Sequence, residues 1–242
     1  DELSEIKPTG IYINVPKKDN PNQFDRKELV MSQNEIAKMI MEYEDPTLLK
    51  TFEAMHIEPD TIAALKEYID PRLHNWIKWQ RKFYDEYYLT INDVYNKVRG
   101  YDLPYNPYYT PIQRDVQPTQ LDQEFLGDNY EYVSIYNGHL QPRVSNVQPL
   151  KRQDINVVLL QHIVEMEHFK HYAEIINDLR AVFNSKEVRK AITQYHDPFL
   201  LKIINKAIND FARGGQDHKA VYTFVDVLRS NFAKAKIGLN PV

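Results

Sequence analysis

One short phrase recurs three times in the chain: Tyr43-Glu-Asp45-Pro46-Thr-Leu48, Tyr68-Ile-Asp70-Pro71-Arg-Leu73 and Tyr195-His-Asp197-Pro198-Phe-Leu200. Asp is a strong N-cap, because its carboxylate accepts the orphan amides of a first helical turn. Pro suits the next position, where its missing N–H costs nothing and its fixed φ already fits a helix. Each copy therefore reads as one helix ending and another starting after a tight bend. Segments 32–50 and 185–202 extend the likeness: a Ser cap, a helix, then Tyr-x-Asp-Pro-x-Leu-Leu-Lys. An ancient duplication would produce this, and so would shared helix-start chemistry.

Composition narrows the classes of function. With 43% hydrophobic and 26% charged residues over 242 positions, the chain can bury a sizeable core. A net charge of −4 gives no basic field for non-specific nucleic-acid binding. There is no Cys, which removes disulfides, thiolate zinc sites and Cys nucleophiles together. Only 7 Gly occur, and neither GxGxxG nor GxxxxGK[ST] is present, so nucleotide-cradling loops have no anchor. No run approaches the roughly 18 to 20 apolar residues of a membrane span, and Asp1-Glu-Leu-Ser4 does not open a signal peptide. The absence of an initial Met, and a stop at Val242 where an apolar segment begins, lead to the expectation of a fragment of a longer protein.

Patterning then divides the chain. Residues 1–31 read as an extended arm with a strand-like Ile11-Tyr-Ile-Asn-Val15. Residues 32–100 form an N-terminal helical subdomain opened by the capping box Ser32-Gln-Asn-Glu35. Its longest helix runs from Leu73, with Trp76, Trp79, Phe83, Tyr87, Ile91, Val94 and Val98 at spacings of three and four, and Gly100 closes it. This aromatic stripe is expected to seat the helix on its partner. Residues 101–150 hold six Pro and many Tyr and form a long connector, with a strand-like Tyr130-Glu-Tyr-Val-Ser-Ile135. Residues 151–242 form a C-terminal helical subdomain. Its long helix starts near Asp154 with Ile155, Leu159, His162, Met166, Phe169, Ala173 and Ile176 on one side. Further helices follow Ser185 and Asp197, Gly214-Gly215 breaks the latter, and a last amphipathic helix covers 218–236. The fold class is mainly α: an irregular multi-helix bundle with two long amphipathic helices, a short strand-like N-terminal arm and a long Pro/Tyr-rich connector.

The sharpest chemical candidate is a metal site. Glu53-Ala-Met-His56 and Glu165-Met-Glu-His168 are both Glu-x-x-His, the spacing that sets carboxylate and imidazole on one helical face. Di-iron bundles use two such pairs with two further Glu, and Glu35, Glu42 or Glu86 would complete the set. The bland reading is that 16 Glu and 8 His generate such pairs by chance. His162, on the apolar stripe, reads as a core histidine, and Glu167 with His171 as an i,i+4 surface pair. No GxSxG elbow occurs. The aromatics from Trp76 to Tyr109 suit partner contact better than base stacking, because Lys78, Arg81 and Lys82 are balanced by Asp85 and Glu86. Tyr105, Tyr108, Tyr109 and Tyr130 are the partner-contact candidates.

The order of phrases completes the reading. An extended start leads into Glu28-Leu-Val-Met-Ser-Gln-Asn-Glu-Ile36, then Asp70-Pro-Arg-Leu73 and a Trp/Tyr-rich helix. Tyr109-Thr-Pro-Ile-Gln-Arg114, Leu160-Gln-His162 and Glu167-His168-Phe169 follow. This resembles a helical module of the very large multi-domain, polyvalent proteins of bacteriophages and prophages, and its Asn-, Tyr- and Lys-rich style suits crAss-like phages. The resemblance implies a virion-packaged, ejected or structural segment, delivered to the host cytoplasm in some cases, whose partners are other virion proteins or the rest of the parent chain. It brings no catalytic residues, and no cofactor or small-molecule ligand is expected. The alternatives are a metal-dependent helical-bundle enzyme, a helical module attached to a virion-packaged polymerase, and a protein-binding module.

Overall fold

The computed structural model describes residues 2–17, 19–20, 22–112, 149–195 and 199–212. Among them the chain is mainly helical, with one small two-stranded antiparallel sheet. No helix among the described residues is long and apolar enough to cross a membrane. Strands β1 (Lys7–Pro16) and β2 (Phe24–Met31) precede helices α1 (Gln33–Tyr43), α2 (Leu49–Ala54), α3 (Pro59–Tyr68) and α4 (Pro71–Arg99). After the connector come α5 (Ile155–Phe183), α6 (Lys186–Tyr195) and α7 (Phe199–Ala212). Two compact units emerge. The first comprises the described residues up to 92, with 103–112 and 149–164; the second comprises 93–102 and those from 165 onward. The division falls inside α4 and α5.

The N-terminal segment departs from the expected extended arm, because β1 has a partner. Lys7 faces Met31 and Pro16 faces Phe24, and Lys17 N donates to Gln23 O at 2.8 Å across the turn. The register shifts between Pro8 and Tyr12, where Gly10 adopts φ +72°. That left-handed conformation is one only Gly enters without strain. Thr9 Oγ1 donates to Leu29 O at 2.8 Å, and Gly10 N donates to Glu28 Oε1 at 2.8 Å, which ties the bulge to β2. Leu29 and Met31 are fully buried, so the hairpin's end is part of the core.

Helix α1 follows at once, with the capping box complete. Glu35 N donates to Ser32 Oγ at 3.2 Å, and Ser32 N donates to Glu35 Oε2 at 2.8 Å. Every residue from Ile36 to Glu42 is buried, which makes α1 the central helix of the first unit. The core around it takes Leu48 and Phe52 from the short η turn (Pro46–Leu48) and α2, Leu65 from α3, Leu73 and Ile77 from α4, and Ile155 and Leu159 from α5.

The first two Tyr-x-Asp-Pro phrases are helix junctions. Asp45 Oδ1 accepts from Thr47 N at 2.9 Å and opens the η turn. Asp70 Oδ1 accepts from Arg72 N at 2.8 Å and opens α4. The third phrase includes residues 196–198, outside the described residues. Arg72 also donates through Nε and Nη2 to the Asp70 carboxylate, at 2.9 and 2.8 Å, and holds its pKa down to about 2. A carboxyl whose folded pKa is depressed contributes stability that is fully present above its unfolded pKa and lost as pH falls through the folded one. Asp70 is therefore expected to contribute acid sensitivity between about pH 4 and pH 2. A carboxyl-carbon NMR titration should place its midpoint near 2 in the native chain and higher in Arg72→Ala. Equal midpoints would remove the guanidinium as the cause.

Helices α4 and α5 each span 29 residues. Gly100, at φ +79°, terminates α4, its N–H donating to Asn96 O at 2.7 Å. Within the first unit Trp76 Nε1 donates to Asn156 Oδ1 at 2.8 Å, and the Tyr84 ring meets His162 at 5.3 Å. Within this unit the two helices therefore run side by side in the same direction. Parallel neighbours cannot share a short loop; a helix of this length needs a return path on the order of 40 Å. Residues 103–109 begin that return along α4. Leu103 lies at Asn92 and Tyr88, Tyr105 at Asp85, and Tyr108 at Arg81. The strand-like 130–135, the Gly214-Gly215 break and the 218–236 helix expected from sequence lie outside the described residues.

In the second unit, Phe169 packs 6.4 Å from Tyr95, and Met166, Ala173 and Ile176 bury the same side of α5. Ile204, Ala207 and Ile208 bury one face of α7. Asn96 Nδ2 donates to Asp102 Oδ1 at 2.7 Å, and Lys97 pairs with Asp93 at 2.8 Å.

Candidate functional site

The four residues of the sequence-derived metal candidate fall in different surroundings. Glu53 is exposed on the last turn of α2, which ends at Ala54. His56 lies beyond that end at φ +55°, with its ring edge-on to Phe24 at 5.9 Å. One helical face therefore does not carry this pair. Glu165 and His168 both lie on α5, in the second unit. His168 is half-buried with its ring 4.8 Å from Tyr172. Glu35 is engaged in the capping box, Glu42 in a buried ion pair, and Glu86 in a surface pair with Lys82 at 3.5 Å. Among the described residues no group of three or more Asp, Glu or His is placed to hold a metal ion.

His162 is buried in an aromatic cage, with Tyr84 at 5.3 Å, Tyr109 at 5.6 Å and Tyr87 at 6.4 Å. Burial also pushes the Tyr84 phenol above its ordinary pKa. His171 Nε2 lies 3.2 Å from Glu167 Oε2, and Lys170 reaches the same carboxylate at 3.0 Å, on an accessible face.

The aromatic face of α4 is the most extensive feature. Trp76, Trp79, Phe83 and Tyr87 stack in series, with centroid separations of 4.6, 5.5 and 5.2 Å and interplanar angles of 3°, 15° and 22°. Steps of three and four residues place successive rings one turn apart on one edge of the helix. Sequence periodicity made this stripe, continued by Ile91, Val94 and Val98, the buried seat of α4. Ile91 and Val94 are buried as expected, but over the aromatic stretch the structure rotates the helix. Leu73, Ile77, Gln80 and Tyr84 form the buried seam, and Ile91 and Val94 continue it. Trp76 and Phe83 are half-buried against the core, while Trp79 is 47% exposed.

The connector tyrosines continue this aromatic surface. Tyr105 is exposed, its hydroxyl 3.1 Å from Asp85 Oδ1 and its ring edge-on to Tyr88 at 5.0 Å. Tyr108 is exposed beneath the Arg81 guanidinium, 5.7 Å from its ring centre. Tyr109 is half-buried and meets Tyr84 edge-on at 5.7 Å, so it serves the core more than the surface. Tyr130 lies outside the described residues.

Sequence reasoning missed a buried polar group. Lys38 and Glu42, one turn apart on α1, pair with each other in the core. Asp45, fully buried, accepts from Thr47 N, Thr47 Oγ1 and Asn106 Nδ2 at 2.9, 2.7 and 2.8 Å. The signal was present: Ile36-Ala-Lys-Met-Ile-Met-Glu42 embeds two charges in a run apolar on every side.

Comparison with protein-family models, curated proteins and solved structures finds no match for this chain.

Proposed function

We propose that this chain is a non-catalytic helical segment of a large phage protein, carried in the virion as a structural, cargo or ejected component. In this reading α4 and α5 are the two long amphipathic helices of an irregular bundle. The stacked edge of α4 is the contact surface for a neighbouring virion protein. The observation that carries it is the ring series Trp76–Trp79–Phe83–Tyr87, with Trp79 left 47% exposed at its middle. Large aromatic rings held rigidly by their neighbours lose little conformational entropy on binding and are typical contact hot spots. The sequence resemblance to polyvalent phage proteins supplies the virion setting.

The test uses particles of the phage that encodes the chain. Peptide mass spectrometry should find these residues at many copies. A photo-crosslinking amino acid at position 79 should join the chain to another virion protein. Trp79→Ala should leave the circular dichroism spectrum unchanged and lower recovery of that partner at least tenfold. Crosslinks confined to the parent chain would make the edge an internal seam, and absence of the peptides from particles would overturn the virion assignment.

A further inference from the structure

A half-open cleft of about 540 Å³ lies in the first unit, lined by Ile40, Glu44, Lys66, His74, Ile77, Lys78 and Arg81. Its charges are unequal. Lys66, Lys78 and Arg81 are permanently cationic at neutral pH, and Glu44 is the single carboxylate among the lining residues. That carboxylate is already shared, standing 2.8 Å from Arg81 Nη2 and 3.5 Å from Lys66 Nζ. Arg81 is anchored a second time, since the same Nη2 donates to Met41 O at 3.0 Å. The guanidinium is therefore fixed in position before any ligand arrives.

Lys78 is exposed, with no ion pair or hydrogen bond among the described residues. His74 Nε2 lies 3.0 Å from the carbonyl oxygen of Lys66. A carbonyl only accepts, so Nε2 carries the hydrogen. The cleft thus holds a surplus of two positive charges without counting His74, in a chain whose net charge is −4. Ile40 and Ile77 are buried lining residues and give it an apolar base. A concave site with converging cationic groups over a small apolar base has the make-up to hold a small anion.

We infer that this cleft binds a small organic anion, a carboxylate or phosphate ester. Its acid group is held by Lys66 and Lys78, and its apolar body rests on Ile40 and Ile77. This goes beyond the contact role of the α4 edge and does not depend on it. It also departs from the sequence, which gave no reason to expect a small ligand. The lining residues come from α1, the residue after it, α3 and α4, and only the fold brings them together.

The test titrates the full chain with phenyl phosphate, benzoate, inorganic phosphate and acetate, followed by methyl and His-ring NMR and by calorimetry. The two aromatic anions should shift the Ile40 and Ile77 methyls and the His74 ring, and bind more tightly than the two bare anions. The tighter of the aromatic pair identifies phosphate or carboxylate as the natural acid group. Lys78→Glu should weaken binding at least tenfold, with Lys78→Gln intermediate. Glu44→Gln, which removes the competing carboxylate, should tighten it if the fold is retained by circular dichroism. Binding that leaves both Ile methyls unmoved, or that ignores Lys78→Glu, would reduce the cleft to a surface charge cluster and overturn the inference.

Discussion

Truncating Lys38 to Ala is expected to destabilise the chain by about 3–5 kcal/mol, and Glu42→Ala by a similar amount. Their side chains are 3% and 7% exposed and pair one turn apart on α1. Removing either leaves the other as an unpaired charge in the core, and that uncompensated charge is the main source of the loss. The double replacement Lys38→Met with Glu42→Leu removes both charges while keeping most of the volume. It should come within about 1 kcal/mol of the native chain, or exceed it, because the desolvation cost of the pair disappears as well. Urea denaturation of the three variants checks this. Single-variant losses below about 1 kcal/mol would mean that water reaches the pair and that α1 is less central than its burial indicates.

Local rules were legible in the sequence, and packing choices were not. Ser32 and Glu35, Asp45, Asp70 and Gly100 act over one helical turn, and each caps the element its sequence assigns to it. The stripe Ile155, Leu159, His162, Met166, Phe169, Ala173 and Ile176 is buried throughout, although Val157, Leu160 and Val164 offered a second apolar face of α5 that stays exposed. Helix α4 also offered two. Over residues 73–87 both Trp76-Trp79-Phe83-Tyr87 and Leu73-Ile77-Tyr84 satisfy the same period, and periodicity cannot choose between them. The tight seam took the narrower aliphatics, with Tyr84 the one ring at its centre, and the indoles were left at the edge. Strand β2 escaped notice because Asp25-Arg-Lys-Glu28 lies at the exposed part of a two-stranded hairpin, where no alternation is imposed. Only Leu29 and Met31 alternate into the core. The long connector had a cause the sequence could not display, namely that α4 and the start of α5 lie parallel. The cleft and the Lys38–Glu42 pair are products of assembly, although charges set in an all-apolar helix were a visible warning of the second.

The first two copies of the recurring phrase provide the remaining large effect, because the same two residue types sit in opposite environments. Asp70 is partly exposed and is held by the solvent-facing Arg72, so Asp70→Ala should cost the lesser amount. Asp45 is fully buried, and its two oxygens serve two different elements. Oδ1 caps the η turn through Thr47, while Oδ2 accepts from Asn106 Nδ2 at 2.8 Å and so ties the connector to the core. Asp45→Ala removes a cap, at about 0.5–2 kcal/mol, and strips a partner from the amide of Asn106, at about 1–3 kcal/mol. A total near 3 kcal/mol is expected. Asp45→Asn keeps the cap but turns an N–H donor toward Asn106 and should fall between. A double-mutant cycle of Asp45→Ala with Asn106→Ala isolates the second contribution, and a coupling of about 1 kcal/mol or more is expected for groups in direct contact. Hydrogen exchange should show its consequence directly, as faster exchange of the amides of 103–109 with that of α1 little changed. Vanishing coupling, with unaltered exchange in the connector, would mean that the contacts with α4, at Arg81, Tyr84, Asp85, Tyr88 and Asn92, hold this segment without the aspartate. Tyr105 and Tyr108 would then owe their positions to α4 rather than to the buried aspartate.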